Sequence, residues 1–257
     1  MPHSIDVGMD GHVATILFAN PPYNHASTAL LHGIANVLDK LDDMESCRAI
    51  VLASSGKQFC AGADLLNDDT MGGEEGGDGI RAFYDAAIRI FAARKPIVAA
   101  VQGAAVGAGL GLAVAADMRV ASPEARFCAN FTRLAFHPGF ALSLTLPRLI
   151  GMQRATEMFL TSARIKADQA HNWGLVDRLT ESGGAMAGAQ ALAREIAMNG
   201  PLSLLATRAT LREHLVADVK MTLMHEHAEQ MKLRDTADHA EGVAATSERR
   251  DPVFTSR

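Results

Sequence analysis

Residues 101–117 read VQGAAVGAGLGLAVAAD, and the class of the fold turns on this run. The residues just before it, 96–101, are apolar and predict a buried strand; the small residues after it predict a buried helix over 105–116. Gln102 and the glycines Gly103, Gly107, Gly109 and Gly111 interrupt the run and Asp117 ends it, so it is not a membrane span. A glycine loop between strand and helix raises the question of nucleotide binding. The spacing matches neither G-x-G-x-x-G nor a phosphate loop with its Lys-Ser/Thr. A helix-entry N–H aimed at an oxygen that gains negative charge fits better. Glycine and alanine used only for close helix packing is the alternative.

Outward from this run, strands and helices alternate. Strands are predicted over 12–19, 48–53, 118–121 and 126–129, and helices over 27–44 and 81–93, which is the pattern of an α/β chain. Residues 67–79, NDDTMGGEEGGDG, hold too few apolar groups to build a core and predict a mobile loop. Beyond about residue 140 the pattern is mostly helical, and Gly200-Pro201 marks a break with proline placed for a first helical turn. The chain therefore divides into a core over 1–199 and a helical region over 200–257.

The net charge of −5 comes without any basic tract, which argues against a nucleic-acid partner. Cys47, Cys60 and Cys128 show no C-x-x-C spacing and read as free thiols of a reducing, cytoplasmic compartment, with no disulfide framework and no zinc site. Residues 1–10 carry no secretory signal. His225-Glu226-His227 is not the H-E-x-x-H metal motif, because its histidines are two apart and face different sides of a helix.

A second small-residue corner, FCAGADL at 59–65, also follows a strand and a turn. Alone it could be a tight connection with Asp64 as a helix cap. Together with the 101–117 run it resembles the crotonase (enoyl-CoA hydratase/isomerase) superfamily. The resemblance extends through ARFCANF (125–131), LPRLI (146–150), GMQRATEMFL (151–160), AHNWGLV (170–176) and the tail 250–257. It implies a spiral of ββα repeats with a C-terminal helical oligomerisation region, and a homotrimer or dimer of trimers. It implies an acyl-CoA substrate, with coenzyme A part of that substrate and no separate cofactor. The implied oxyanion donors are the backbone N–H groups of Ala63 and Ala108. Candidate coenzyme A contacts are Asn24, His25, Ala26, Ala61, Gly62, Asp64 and Leu65, with Phe254 reaching the coenzyme on a neighbouring subunit.

The resemblance fails at the proton-transfer groups. Hydratases of the family carry two glutamates, because one carboxylate can accept a proton while the other donates. Those places correspond here to Gly111 and Phe131, and the carboxylate of related isomerases to Gly139. His137 is the candidate acid or base that remains, since an imidazole titrates near neutrality; a histidine bonded to backbone beside a proline turn is the alternative. Asp68 and Asp69 could swing over a bound thioester, or simply be a solvated acidic loop. Cys60 has no adjacent base to make it a thiolate. Phe131, Phe136 and Phe140 point to an apolar or aromatic acyl group. Two further readings stay open: a non-catalytic acyl-CoA-binding homologue, and an enzyme in which bicarbonate replaces the carboxylate above Gly111.

Overall fold

Short strands of alanine and aliphatic residues form the centre of the molecule. The computed structural model describes residues 3–63 and 79–257. In it β1 (Ser4–Asp10), β2 (Val13–Ala19), β3 (Ala49–Ser54), β4 (Ile97–Val101), β6 (Met118–Ala121) and β9 (Arg178–Leu179) build a six-stranded sheet in the order β1-β2-β3-β4-β6-β9. β1 runs antiparallel to β2 and every other pair is parallel. β3 and β4 are buried along their whole length, as strands covered on both faces must be. A smaller sheet of β5 (Ala104–Val106), β7 (Arg126–Cys128) and β8 (Arg164–Lys166) lies beside it.

Strand side chains alternate between faces, and the two faces carry two cores. Ile16, Phe18, Ile50, Leu52, Ile97 and Ala99 pack with α1 (Thr28–Asp42), α2 (Gly79–Ala92) and α3 (Ala108–Ala115). Val13, Val51, Val98 and Val120 pack against Ala189, Leu192 and Ala193 of α7 (Ala185–Ala197). Ser27 starts α1 by accepting the Leu30 N–H at 3.1 Å, a side-chain cap. The remaining core helices are α4 (Leu142–Ile150), α5 (Met152–Thr161) and α6 (Ala167–Asn172). α8 (Pro201–Leu211), α9 (Leu215–Leu233) and α10 (Ala237–Glu248) follow Gly200, and all strands of the described residues precede it.

Three attachments hold this C-terminal region against the core. Asp117 accepts the Ile97 N–H at 2.8 Å, Arg208 Nε at 2.9 Å and Arg212 Nη1 at 2.8 Å, which ties α8 to the start of β4. Burial opposes the charge on Asp117, but the two guanidinium groups outweigh it and hold the carboxyl below its ordinary range. α9 lies along α2, and α10 packs against the 3-10 turn at Thr132–Leu134, so tightly that a Cβ at Gly242 would lie 2.6 Å from the Leu134 carbonyl carbon.

The structure corrects the sequence reading in three places. The helix expected over 105–116 begins only at Ala108, because Ala104–Val106 pairs with β7 as a strand. β1 lies outside the expected strands, although Ile5, Val7 and Met9 alternate with Ser4, Asp6, Gly8 and Asp10; it is an edge strand, exposed almost throughout, with only Ile5 packed on the core. β8 and β9 are three and two residues long, below what a periodicity can register in a region read as helical. Residues 67–78 of the expected loop lie outside the described residues, and Gly79 opens α2. No helix among the described residues is long and apolar enough to cross a membrane.

Candidate active site

The two small-residue corners meet. Residues 60–63 run between β5 and the segment that enters α1. Cys60 N–H donates to Ala104 O at 2.9 Å and Val106 N–H to Cys60 O at 3.0 Å; on the other side Ala26 N–H donates to Gly62 O at 2.8 Å and Ala26 pairs with Ala63. Two glycines permit the approach. Gly62 has φ +103° and would place a Cβ 3.2 Å from Val106 O, and a side chain on Gly109 would run into the Cys60 carbonyl.

Ala108 is the first residue of α3, after Gly107 with φ 50° and ψ −118°. No side chain caps this end of the helix, and a first-turn N–H has no partner within its own helix. Gly107 itself is fixed by its N–H to Cys128 O at 2.9 Å. The N-terminal partial charge of a wholly buried helix therefore points, through Ala108, at whatever occupies the space in front of it.

That space is a cavity of about 600 Å³ lined by Ala61, Gly62, Ala63, Gly107 and Ala108 at one side. Pro22, Tyr23 and His25 flank the first corner; Val243, Thr246 and Ser247 of α10 flank the other side. The wall between is largely aromatic: Phe83, Tyr84, Phe131, Phe136 and Phe140. Phe140 meets Phe83 edge-on at 5.9 Å between centroids and Phe91 at 6.2 Å, tilted.

The profile of the enoyl-CoA hydratase/isomerase family matches residues 8–257. The chain belongs to this family. It is similar to Bacillus subtilis YngF, assigned by name to the enoyl-CoA hydratases/isomerases, with 31% identity over 95% of this chain and 94% of that protein. It is 30% identical to the 1,2-epoxyphenylacetyl-CoA isomerase of Escherichia coli, covering 95% of each chain. Among solved structures, an enoyl-CoA hydratase/isomerase from Pseudoalteromonas atlantica superposes with a TM-score of 0.87 at 30% identity, over 98% of this chain and 100% of the other. The fold is that of the crotonase superfamily.

Side chains from elsewhere in the chain crowd the two glycines at which the resemblance led us to expect carboxylates, Gly111 and Gly139. A Cβ on Gly111 would lie 2.5 Å from Phe140 Cδ1 and 2.6 Å from its Cβ and Cγ, so the Phe140 side chain covers that helix position. An anion directly against Gly111 would have to share that volume with the Phe140 ring. Beside Gly139, a Cβ would collide with Tyr84 Oη and lie 2.6 Å from Gln230 Nε2. Phe131 itself lines the cavity.

The residues singled out in the sequence distribute unevenly. Ala63, Ala108, His25, Ala61 and Gly62 all line the cavity. Asn24 and Ala26 do not: Asn24 sits at φ 56° and spends its amide on Ser55 O and Gln58 O at 2.7 and 2.8 Å, shaping the turn that presents His25. Asp64, Leu65, Asp68 and Asp69 lie outside the described residues. Phe254 is 42% exposed in the C-terminal tail and is not among the lining residues of this cavity. His137 is not among the cavity-lining residues; its Nδ1 faces Pro138 O at 2.8 Å and its ring stands edge-on to His225, so this placement does not support the proton-transfer role expected of it. Burial pushes the Cys60 thiol up to about 12, which keeps it protonated.

Three polar residues of the site escaped sequence reading. Tyr84 of α2 donates its hydroxyl to Gln230 Oε1 of α9 at 2.7 Å, and Gln230 Nε2 donates to His137 O at 3.0 Å. Glu226, one turn before Gln230, is fully buried and accepts Ala141 N–H, Ser143 N–H and Ser143 Oγ–H at 2.8, 3.0 and 2.6 Å. Burial pushes its carboxyl up to about 7, against these hydrogen bonds. Burial, and then the Glu226 charge, push the Tyr84 phenol well above its ordinary value. The one available signal was spacing: Glu226 and Gln230 are four apart on a helix and share a face.

Proposed function

We propose that this family member binds an acyl-CoA thioester with the carbonyl oxygen between the N–H groups of Ala63 and Ala108, and turns it over through a thioester enolate. The observation that carries the reading is the meeting of the two corners at one cavity, with Ala63 on the first and Ala108 at the N-terminus of buried α3. Donors fixed before the reaction stabilise a developing oxyanion by about 3 kcal/mol each, because they need no reorganisation. Pro22, Tyr23, His25 and the 61–63 backbone form the mouth through which the coenzyme enters. The aromatic wall fits an apolar or aryl acyl group.

The chemistry is not that of a two-glutamate hydratase, since Gly111 and Phe131 offer no proton-transfer group and Phe140 occupies the space above Gly111. That same packing favours a second reading, an acyl-CoA-binding protein without turnover. In either case a homotrimer or dimer of trimers is the proposed assembly. Met198, Leu202 and Leu211, each more than four-fifths exposed at or near α8, supply apolar surface for it.

Calorimetric titration with a panel of acyl-CoA thioesters tests the site. Binding by the natural sequence and its loss in Ala108→Trp is the expected result; undiminished binding by the variant overturns the assignment of the oxyanion site. Turnover of any panel member excludes the binding-only reading.

A further inference from the structure

Arg164 brings a permanent charge to the cavity; the other described lining residues include no carboxylate, lysine or arginine. It stands on β8, the edge strand of the small sheet, and is exposed. Charge on an edge strand also deters pairing with another chain, so the position alone needs no ligand. Its surroundings go further. Cys128 and Arg164 are cross-strand partners, so their side chains share a face. Burial raises the Cys128 thiol, and the charges of Arg164 and Arg133 oppose that rise. Arg133 is neutralised by Asp251 at 2.5 Å. Arg164 has neither a carboxylate nor a hydrogen-bond partner among the described residues. Two residues beyond Cys128, Asn130 also lines the cavity, and its side-chain amide is likewise unpartnered among the described residues. A Cβ on Gly107 would lie 3.3 Å from Asn130 Oδ1, which sets this amide beside the entry to α3.

The small sheet places this end of the cavity. In the order β5-β7-β8, β5 is bridged to Cys60 of the first corner and β8 lies at the far edge. Three strand spacings of about 4.8 Å set the Arg164 backbone roughly 14 Å from that corner. The cation therefore stands away from Pro22, Tyr23 and His25, where the thioester reading places the coenzyme. A guanidinium offers forked donors that match a carboxylate, and a neighbouring amide can add another. From this arrangement we propose that Arg164, assisted by Asn130, is a specificity residue that pairs with a carboxylate at the far end of the acyl moiety, so that the preferred ligand is an ω-carboxyacyl-CoA with an apolar body. This inference rests on the thioester reading above and adds the substrate class. The aromatic wall takes the apolar body, and the polar end takes the charge that such a wall would reject.

Equilibrium binding of glutaryl-, adipoyl- and suberoyl-CoA, each beside the unsubstituted acyl-CoA of the same carbon number, tests the inference in the full-length protein. At least one ω-carboxylated ligand is expected to bind roughly tenfold tighter than its counterpart, the scale of one charge-assisted hydrogen-bonded pair. In Arg164→Gln, which removes the charge, that ratio is expected to fall to about one while the unsubstituted ligands bind as before; Arg164→Lys should keep part of the preference. Arg164 is exposed and unpartnered among the described residues, so an unchanged melting temperature is expected to accompany the substitution. An equal loss for both series in Arg164→Gln assigns the cation to a phosphate of the coenzyme and overturns the inference. So does the absence of any carboxylate preference, or a preference that survives in Arg164→Gln. Each of these results leaves the thioester site standing. Binding of no ligand in either series overturns both.

Discussion

Glu226 Oε2 accepts the Ala141 N–H at 2.8 Å across 85 residues of chain, and through it α9 sets the shape of the active-site wall. Phe140 and Ala141 are consecutive residues in the left-handed region, at φ 59° and 55°. Side chains are disfavoured there. The carboxylate holds the pair by taking the N–H groups of Ala141 and Ser143, and so keeps Phe140 over Gly111.

The first prediction follows from the raised carboxyl of Glu226. The unfolded state releases this proton near the ordinary value of 4.5, the folded state only near 7. Between those values the folded state binds more protons, so stability is greatest below the window, falls as pH rises through 7, and levels off above it. The whole difference is about 3 kcal/mol. Urea unfolding at pH 5 and pH 8 should show the loss, and Glu226→Gln should flatten it. An unchanged pH slope in the variant would assign the effect to another group.

Gly111→Ala is expected to destabilise by about 1–3 kcal/mol, although alanine is the better helix former, because the new methyl meets three atoms of Phe140. Phe140→Leu in the same chain should recover part of that loss. A thermal double-mutant cycle reads the coupling between the two positions.

Asp117→Ala strands two largely buried guanidinium groups, Arg208 and Arg212, whose Nη2 and Nε atoms respectively already have no partner among the described residues. The expected cost is about 3–5 kcal/mol, read by denaturant unfolding. The sign with pH is opposite to that of Glu226. The Asp117 carboxyl is depressed, so its contribution is present above the ordinary carboxylate range and is lost as pH falls through the folded value. The natural protein should therefore lose more stability on acidification than the variant.

All three cysteines are buried, with Cys60 pushed up to about 12 and Cys128 to about 11 by burial, and Cys47 raised for the same reason. A thiol-exchange reagent at pH 8 should label the native protein slowly and all three positions on unfolding. Rapid native labelling at Cys60 would show that the first corner opens in solution.

The sequence by itself determined the class of the fold and the two corners. Both are local: apolar runs bounded by turn residues, and small residues at Gly62, Gly107 and Gly109 where backbone must approach backbone. The resemblance read from it also set an expectation of carboxylates where Gly111 and Gly139 stand. What occupies those two places was decided only by tertiary structure. Helical spacing marks Phe83, Tyr84, Glu226 and Gln230 as members of faces, but says nothing of what each face meets. Tyr84 and Gln230 are 146 residues apart, and Phe140 reaches Gly111 only because a buried Glu226 holds a strained turn. Such contacts depend on the docking of α9 along α2 and leave no periodic trace in the chain.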